Sequence, residues 1–127
     1  MENSRLSGQK GNVNKKYDLE ERTFLFASKE RAFTKKLHRS IENIEDVKQL
    51  VRSSGSVGAN YIEANESLSK KDFLMRIKIC RKEAKESGYF LRLVDTGNKP
   101  DLEQERKWLV NEATELMKIF GAIISKS

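Results

Sequence analysis

Apolar residues recur at steps of three and four through four successive blocks of the chain, and no segment shows the period-two alternation of a half-buried strand. In the first block Leu19, Thr23, Phe26, Phe33 and Leu37 share one stripe, interrupted by Glu30. Asp18 reads as its N-cap, Glu20 and Glu21 as an acidic first turn, and Lys35, Lys36 and Arg39 as a basic end, so a helix is predicted from Asp18 to about residues 38–40.

The second block is predicted helical from about Asn43, with Val47, Leu50, Ser54, Val57, Tyr61 and Ala64 turned inward. Gly55 and Gly58 sit inside it, each costing about 1 kcal/mol relative to alanine. Either another helix approaches that stretch closely, the reading preferred here, or the helix kinks there.

The third block opens on a capping-box-like pair, Ser69 and Asp72, and carries Phe73, Ile77, Cys80, Ala84, Ser87, Leu91 and Val94 as a bundle seam. Residues 95–100, DTGNKP, end it: Gly97 or Asn98 supplies a left-handed cap and Pro100 opens the next helix. The fourth helix is predicted from about Asp101 to Ile124, with Leu102, Leu109, Ala113, Leu116, Phe120 and Ile123 inward and Arg106 as its polar interruption. Four amphipathic helices of similar length on short loops predict an all-α, antiparallel up-down-up-down four-helix bundle over residues 17–127. Residues 1–16, rich in Gly, Asn, Ser and Lys, read as a flexible basic arm.

A chain of 127 residues can bury one continuous core without disulfide or metal support. Cys80 is the sole cysteine, so no internal disulfide can form, and a reducing cytoplasm is expected. No run of about 18 apolar residues marks a membrane span, and no apolar run in residues 1–16 marks a signal peptide. Neither export nor membrane insertion is expected.

No set of residues describes a reaction. His38, the only histidine, falls in an interhelical turn without a motif-placed nucleophile or acid beside it, and no Glu-x-x-His pair suggests a di-iron site. Cys80 lies on a core seam, where a small buried hydrophobe is the ordinary role. A non-enzymatic protein without metal or cofactor is expected.

Three surface features carry information. Arg52, Ser56, Asn60 and Glu63 line one face of the second helix, either as ordinary solvated surface or as a hydrogen-bonded seam with Glu83 and Glu86 of the third helix as partners. Phe24, Leu25, Ile62, Tyr89, Phe90, Trp108, Met117 and Ile124 exceed what one narrow bundle can hide, which favours a homo-oligomer. Lys71, Lys78, Lys82 and Lys85, with Lys70 and Arg81 close by, form a basic face that suits phosphate or simple solvation, diluted by Asp72, Glu83 and Glu86 and without an arranged aromatic platform for bases. Net charge is +6, and half of that excess lies in residues 1–16.

The stretch from Arg52 to Ala64, RSSGSVGANYIEA, resembles the hallmark of the bundle proteins encoded by intervening sequences of bacterial 23S ribosomal RNA genes: Arg, Ser four residues on, Asn, then Glu before a small residue. Residues 82–91, KEAKESGYFL, look like the third-helix motif of one branch of that family. The family often has Pro where Gly58 stands and Gly where Ala64 stands. The resemblance spans about residues 17–125 and implies a homo-oligomeric bundle, typically a pentamer, of unsettled role. The accessory protein of diversity-generating retroelements is similar in fold and assembly, and it binds nucleic acid and docks on a reverse transcriptase. Two functions are therefore expected as alternatives: a pentamer that holds RNA or DNA on its basic faces, or a protein-interaction scaffold or accessory subunit that touches no nucleic acid.

Overall fold

The computed structural model describes residues 11–127. Four helices follow one another: α1 (Gly11–Thr34), α2 (Ile41–Asn65), α3 (Lys70–Leu93) and α4 (Pro100–Lys126). Each packs on its neighbour in sequence, and α4 closes on α1. The four-helix bundle predicted from periodicity is the observed fold.

The register of each antiparallel pair can be read from its polar contacts. Between α1 and α2, Asn65 Nδ2 donates to Glu20 and the Ser54 hydroxyl to Glu30, at 2.8 and 2.7 Å. Between α1 and α4, Arg22 forks onto Glu112, Lys29 Nζ stands 5.1 Å from the Trp108 ring centroid, and Lys36 pairs with Glu105. Arg22 and Lys29 lie seven residues apart on one face of α1, and Lys36, two residues beyond its end, keeps the same spacing. At the far end of the bundle Arg106 caps α3, donating to the carbonyls of Leu91, Arg92 and Val94. The polar interruption on α4 is thus a cation at the negative end of a neighbouring helix.

The core follows the predicted stripes closely. Phe26, Phe33, Leu50, Val57, Ile77, Cys80, Ala84, Leu91, Leu109, Leu116 and Phe120 are buried, while Leu19, Val47, Phe73 and Ile123 pack against them from the margin. Glu30 is buried as well, held by Ser54 and by Arg31 at 3.0 Å. Burial raises its carboxyl above the ordinary 4.5, and among the described residues Oε2 meets no hydrogen-bond donor.

The two helical glycines of α2 mark a close approach. A Cβ on Gly58 would stand 2.9 Å from Thr23 Oγ1 and 3.2 Å from Thr23 Cβ, and one on Gly55 would stand 3.0 Å from the Arg31 guanidinium. α2 runs unbroken through both, so the alternative of a kink is not needed.

Boundaries differ from expectation at α1. The helix opens at Gly11 instead of Asp18, which leaves Glu20 and Glu21 in its interior. Lys15 and Lys16 are good helix formers, so the capping signal at Asp18 does not decide the start. Of the arm expected over residues 1–16, residues 1–10 lie outside the described ones. At its other end α1 stops at Thr34 and tightens, Lys36 and Leu37 donating three residues back. The Ser40 hydroxyl caps α2 and the Ser69 hydroxyl caps α3, each accepting from the backbone three residues on. Gly97 and Asn98 both adopt the left-handed conformation, at φ +68° and +59°, where one had been expected.

Asn43 ties the two loops at this end together. Its side chain is buried, donates to the carbonyls of His38 and Asp95, and accepts from the Asp95 backbone amide. Sequence spacing marked it only as a helix start.

Candidate nucleic-acid interface along α3

The α2 polar stripe forms a seam with α3. Arg52 lies 3.4 Å from Glu83 and also donates to Glu86, and the Glu86 bond contributes most to raising the guanidinium above its ordinary value. Asn60 donates to the Ser56 carbonyl and hydroxyl, both at 2.9 Å, and accepts from Arg76 at 2.9 Å. Between these polar contacts the Ser53 and Ser87 hydroxyls meet at 3.0 Å in the buried interior. The hydrogen-bonded alternative is therefore the observed one for Arg52, Ser56, Asn60, Glu83 and Glu86. Glu63 is exposed near the α2–α3 turn, and Arg76, which spacing did not single out, takes the place beside Asn60.

This seam sorts the charges of α3. Glu83 is only 6% exposed, and Arg52 holds both it and Glu86 on the α2 flank. Lys71, Lys78, Arg81, Lys82 and Lys85 are all exposed, Arg81 and Lys85 beside α4 and the others farther out on the solvent face. Lys70 is exposed too, its amine 3.2 Å from the Ser127 carbonyl oxygen. The expectation that Glu83 dilutes the basic face needs correction, because it is buried against α2; Glu86, paired with Arg52 yet one turn from Lys82, and Asp72, exposed in the first turn, still border that face. Arg92, exposed and seven residues beyond Lys85, continues the basic line. Its heptad spacing after Lys78 and Lys85 was a legible signal.

Between α3 and α4 runs a shallow groove of about 230 Å³, floored by Ala84, Gly88 and Ala113, walled by Val110, Thr114 and Met117, and rimmed by Lys85, Tyr89 and Arg92. A Cβ on Gly88 would meet Ala113 Cβ at 3.6 Å, so the small floor residues let the helices come close. Tyr89 is 56% exposed on this rim, its ring 5.2 Å from that of Phe90 at 83°.

Other candidate chemistry is quiet. Burial pushes the Cys80 thiol up to about 12, which keeps it protonated at neutral pH. His38 is exposed in the α1–α2 turn, 3.6 Å from Asp95. Among the described residues no three His, Cys, Asp or Glu side chains group to hold a metal, and no helix is long and apolar enough to cross a membrane.

The seam carries the residues of the intervening-sequence motif, and comparison with known families bears on the same stretch. The sequence profile of the 23S rRNA-intervening sequence protein family matches residues 15–122. The chain belongs to that family. A solved structure of a protein with unknown function from the S23 ribosomal protein family of Bacteroides thetaiotaomicron VPI-5482 is similar: 28% identity, a TM-score of 0.69, 84% of this chain and 97% of that one covered. No curated protein matches the chain. As a 23S rRNA-intervening sequence protein the chain carries Gly58 and Ala64 where the resemblance implies Pro and Gly. Both departures fall in continuous helix, so neither breaks α2 before Asn65.

Proposed function

We propose that this protein is a non-catalytic, cytoplasmic homo-oligomer, pentameric as the family resemblance implies, that holds RNA or DNA on the basic flank of α3. The observation that carries this reading is a run of exposed cations on one helix whose nearby carboxylates are engaged: Arg52 pairs with Glu83 and Glu86, while Lys71, Lys78, Arg81, Lys82 and Lys85 stand exposed. Such a surface attracts phosphate irrespective of base sequence, and repetition around an oligomer multiplies its field.

Self-association is supported by the apolar residues left outside. Phe24 is 63% exposed and Trp108 46%, with Leu25 and Ile62 also open to solvent, whereas Phe90, Met117 and Ile124 are drawn partly into the core. Phe24 follows Thr23, which faces Gly58, and Ile62 lies one turn beyond Gly58, so the two share the outer α1–α2 face. These faces are the ones a second copy covers.

The test is binding of fluorescent oligonucleotides across a salt series. Affinity falls steeply with salt, and changing Lys71, Lys78 and Lys82 together to Glu weakens binding to every sequence. Absent or salt-insensitive binding supports the second reading, a protein scaffold or accessory subunit, which the exposed apolar faces would equally serve.

A further inference from the structure

We infer that the α3–α4 groove is a binding site for single-stranded nucleic acid, in which Tyr89 stacks on a base while Lys85 and Arg92 hold the flanking phosphates. This deepens the nucleic-acid reading above and rests on it. Lys85, Tyr89 and Arg92 follow at steps of four and three, so they stand on one line along α3, with the two cations about 10 Å apart along the helix axis. That order, cation, aromatic, cation, matches a strand whose backbone runs along the rim with a base turned inward.

The groove is chemically suited to a base and not to a cationic partner. Its lining contains two cations and no carboxylate, and its walls and floor are apolar apart from Thr114, whose hydroxyl already donates to the Val110 carbonyl at 3.0 Å. Tyr89 is half exposed, and Phe90 braces it in a near-perpendicular contact, which fixes the ring without covering it. Trp108 makes the contrast. It lines a different hollow with Lys29, Ala32, Glu105 and Leu109, its ring is engaged by Lys29, and Glu105 brings negative charge beside it. That hollow lacks the net positive rim of the Tyr89 groove, so an anionic strand favours Tyr89.

A duplex keeps its bases stacked within, so it reaches the lysines but not the tyrosine. Base–aromatic stacking tolerates any base, and with the one wall hydroxyl occupied, little sequence preference is expected. An aromatic platform thus exists where linear spacing showed only an excess apolar residue.

The experiment compares a labelled single-stranded oligo-uridine with a matched RNA duplex, using the full chain. Tyr89→Ala lowers single-strand affinity by about fivefold to a hundredfold, the loss of one base–aromatic stack, and leaves duplex affinity and the salt dependence unchanged. Tyr89→Phe retains single-strand affinity, and light scattering shows the same mass for both variants and wild type. If wild-type protein binds neither probe, the nucleic-acid reading fails and this site with it. If wild type binds both but Tyr89→Ala equals wild type on the single strand, or loses both probes alike, or changes mass, the stacking site is refuted while the charged surface stands.

Discussion

The Gly58→Ala substitution probes the packing that brings α1 onto the motif helix. In an open helix the change stabilises by about 1 kcal/mol, because alanine loses less backbone entropy than glycine. Here the new methyl stands 2.9 Å from Thr23 Oγ1 and 3.2 Å from Thr23 Cβ, on a buried β-branched side chain that already bonds the Leu19 and Glu20 carbonyls. Thr23 cannot swing away as a long flexible side chain can, so the overpacking costs about 1–3 kcal/mol. The two effects nearly cancel or sum to a loss of up to about 2 kcal/mol. Gly121 is the internal control: its Cβ would meet only Arg81 Cδ at 3.8 Å, so Gly121→Ala keeps the gain. The assay is urea unfolding followed by far-ultraviolet circular dichroism at one fixed protein concentration, since assembly contributes to apparent stability. Adding Thr23→Ala removes the 2.9 Å contact and recovers part of the loss, giving a coupling of about 1 kcal/mol in the double-mutant cycle. Equal stabilisation by Gly58→Ala and Gly121→Ala, with no coupling to Thr23, would refute the close approach.

Other substitutions test other parts of the same argument. Asn43→Ala breaks three hydrogen bonds between the two loops and is expected to lower stability by about 3 kcal/mol, read from the urea midpoint. Arg52→Ala leaves Glu83 buried without its cation; with Arg52 itself half exposed, a loss of about 1–2 kcal/mol is expected, against no measurable loss for exposed Lys99→Ala. Asn60→Ala removes the contacts to Ser56 and Arg76, an expected loss of about 1 kcal/mol in the same assay. Glu30 keeps its proton to higher pH in the folded chain than in the unfolded one, so its contribution is greatest below 4.5 and is lost as pH rises through the raised value. Glu30→Gln therefore melts higher than wild type at pH 7, and the gap closes towards pH 4; a constant gap across that range contradicts burial of the charge.

Much of the bundle could be read from side-chain spacing because every helix buries one narrow stripe, and a stripe leaves a period. The same period placed Glu30 and Arg106 inward but could not say what met them: Ser54 and Arg31 for one, the α3 carbonyls for the other. Ser54 and the α3 carbonyls sit on other helices, where linear spacing has no reach. The α1 start was misread because a strong cap at Asp18 is local, while helix continuation through Lys15 and Lys16 is decided by propensity on both sides of it. For the surface, the lysines of α3 were legible as a face. The engagement of Glu83 and Glu86 by Arg52 was not, because it depends on which neighbour that flank meets. Tyr89 counted as surplus apolar area until α4 supplied the opposite wall of its groove.

The central claim is an assembled bundle carrying nucleic acid, and native mass spectrometry of the protein purified from its host without nuclease addresses it most directly. A species weighing several times 14.6 kDa, with additional mass that ribonuclease or deoxyribonuclease removes, is the expected result. A single 14.6 kDa chain free of nucleic acid would contradict it.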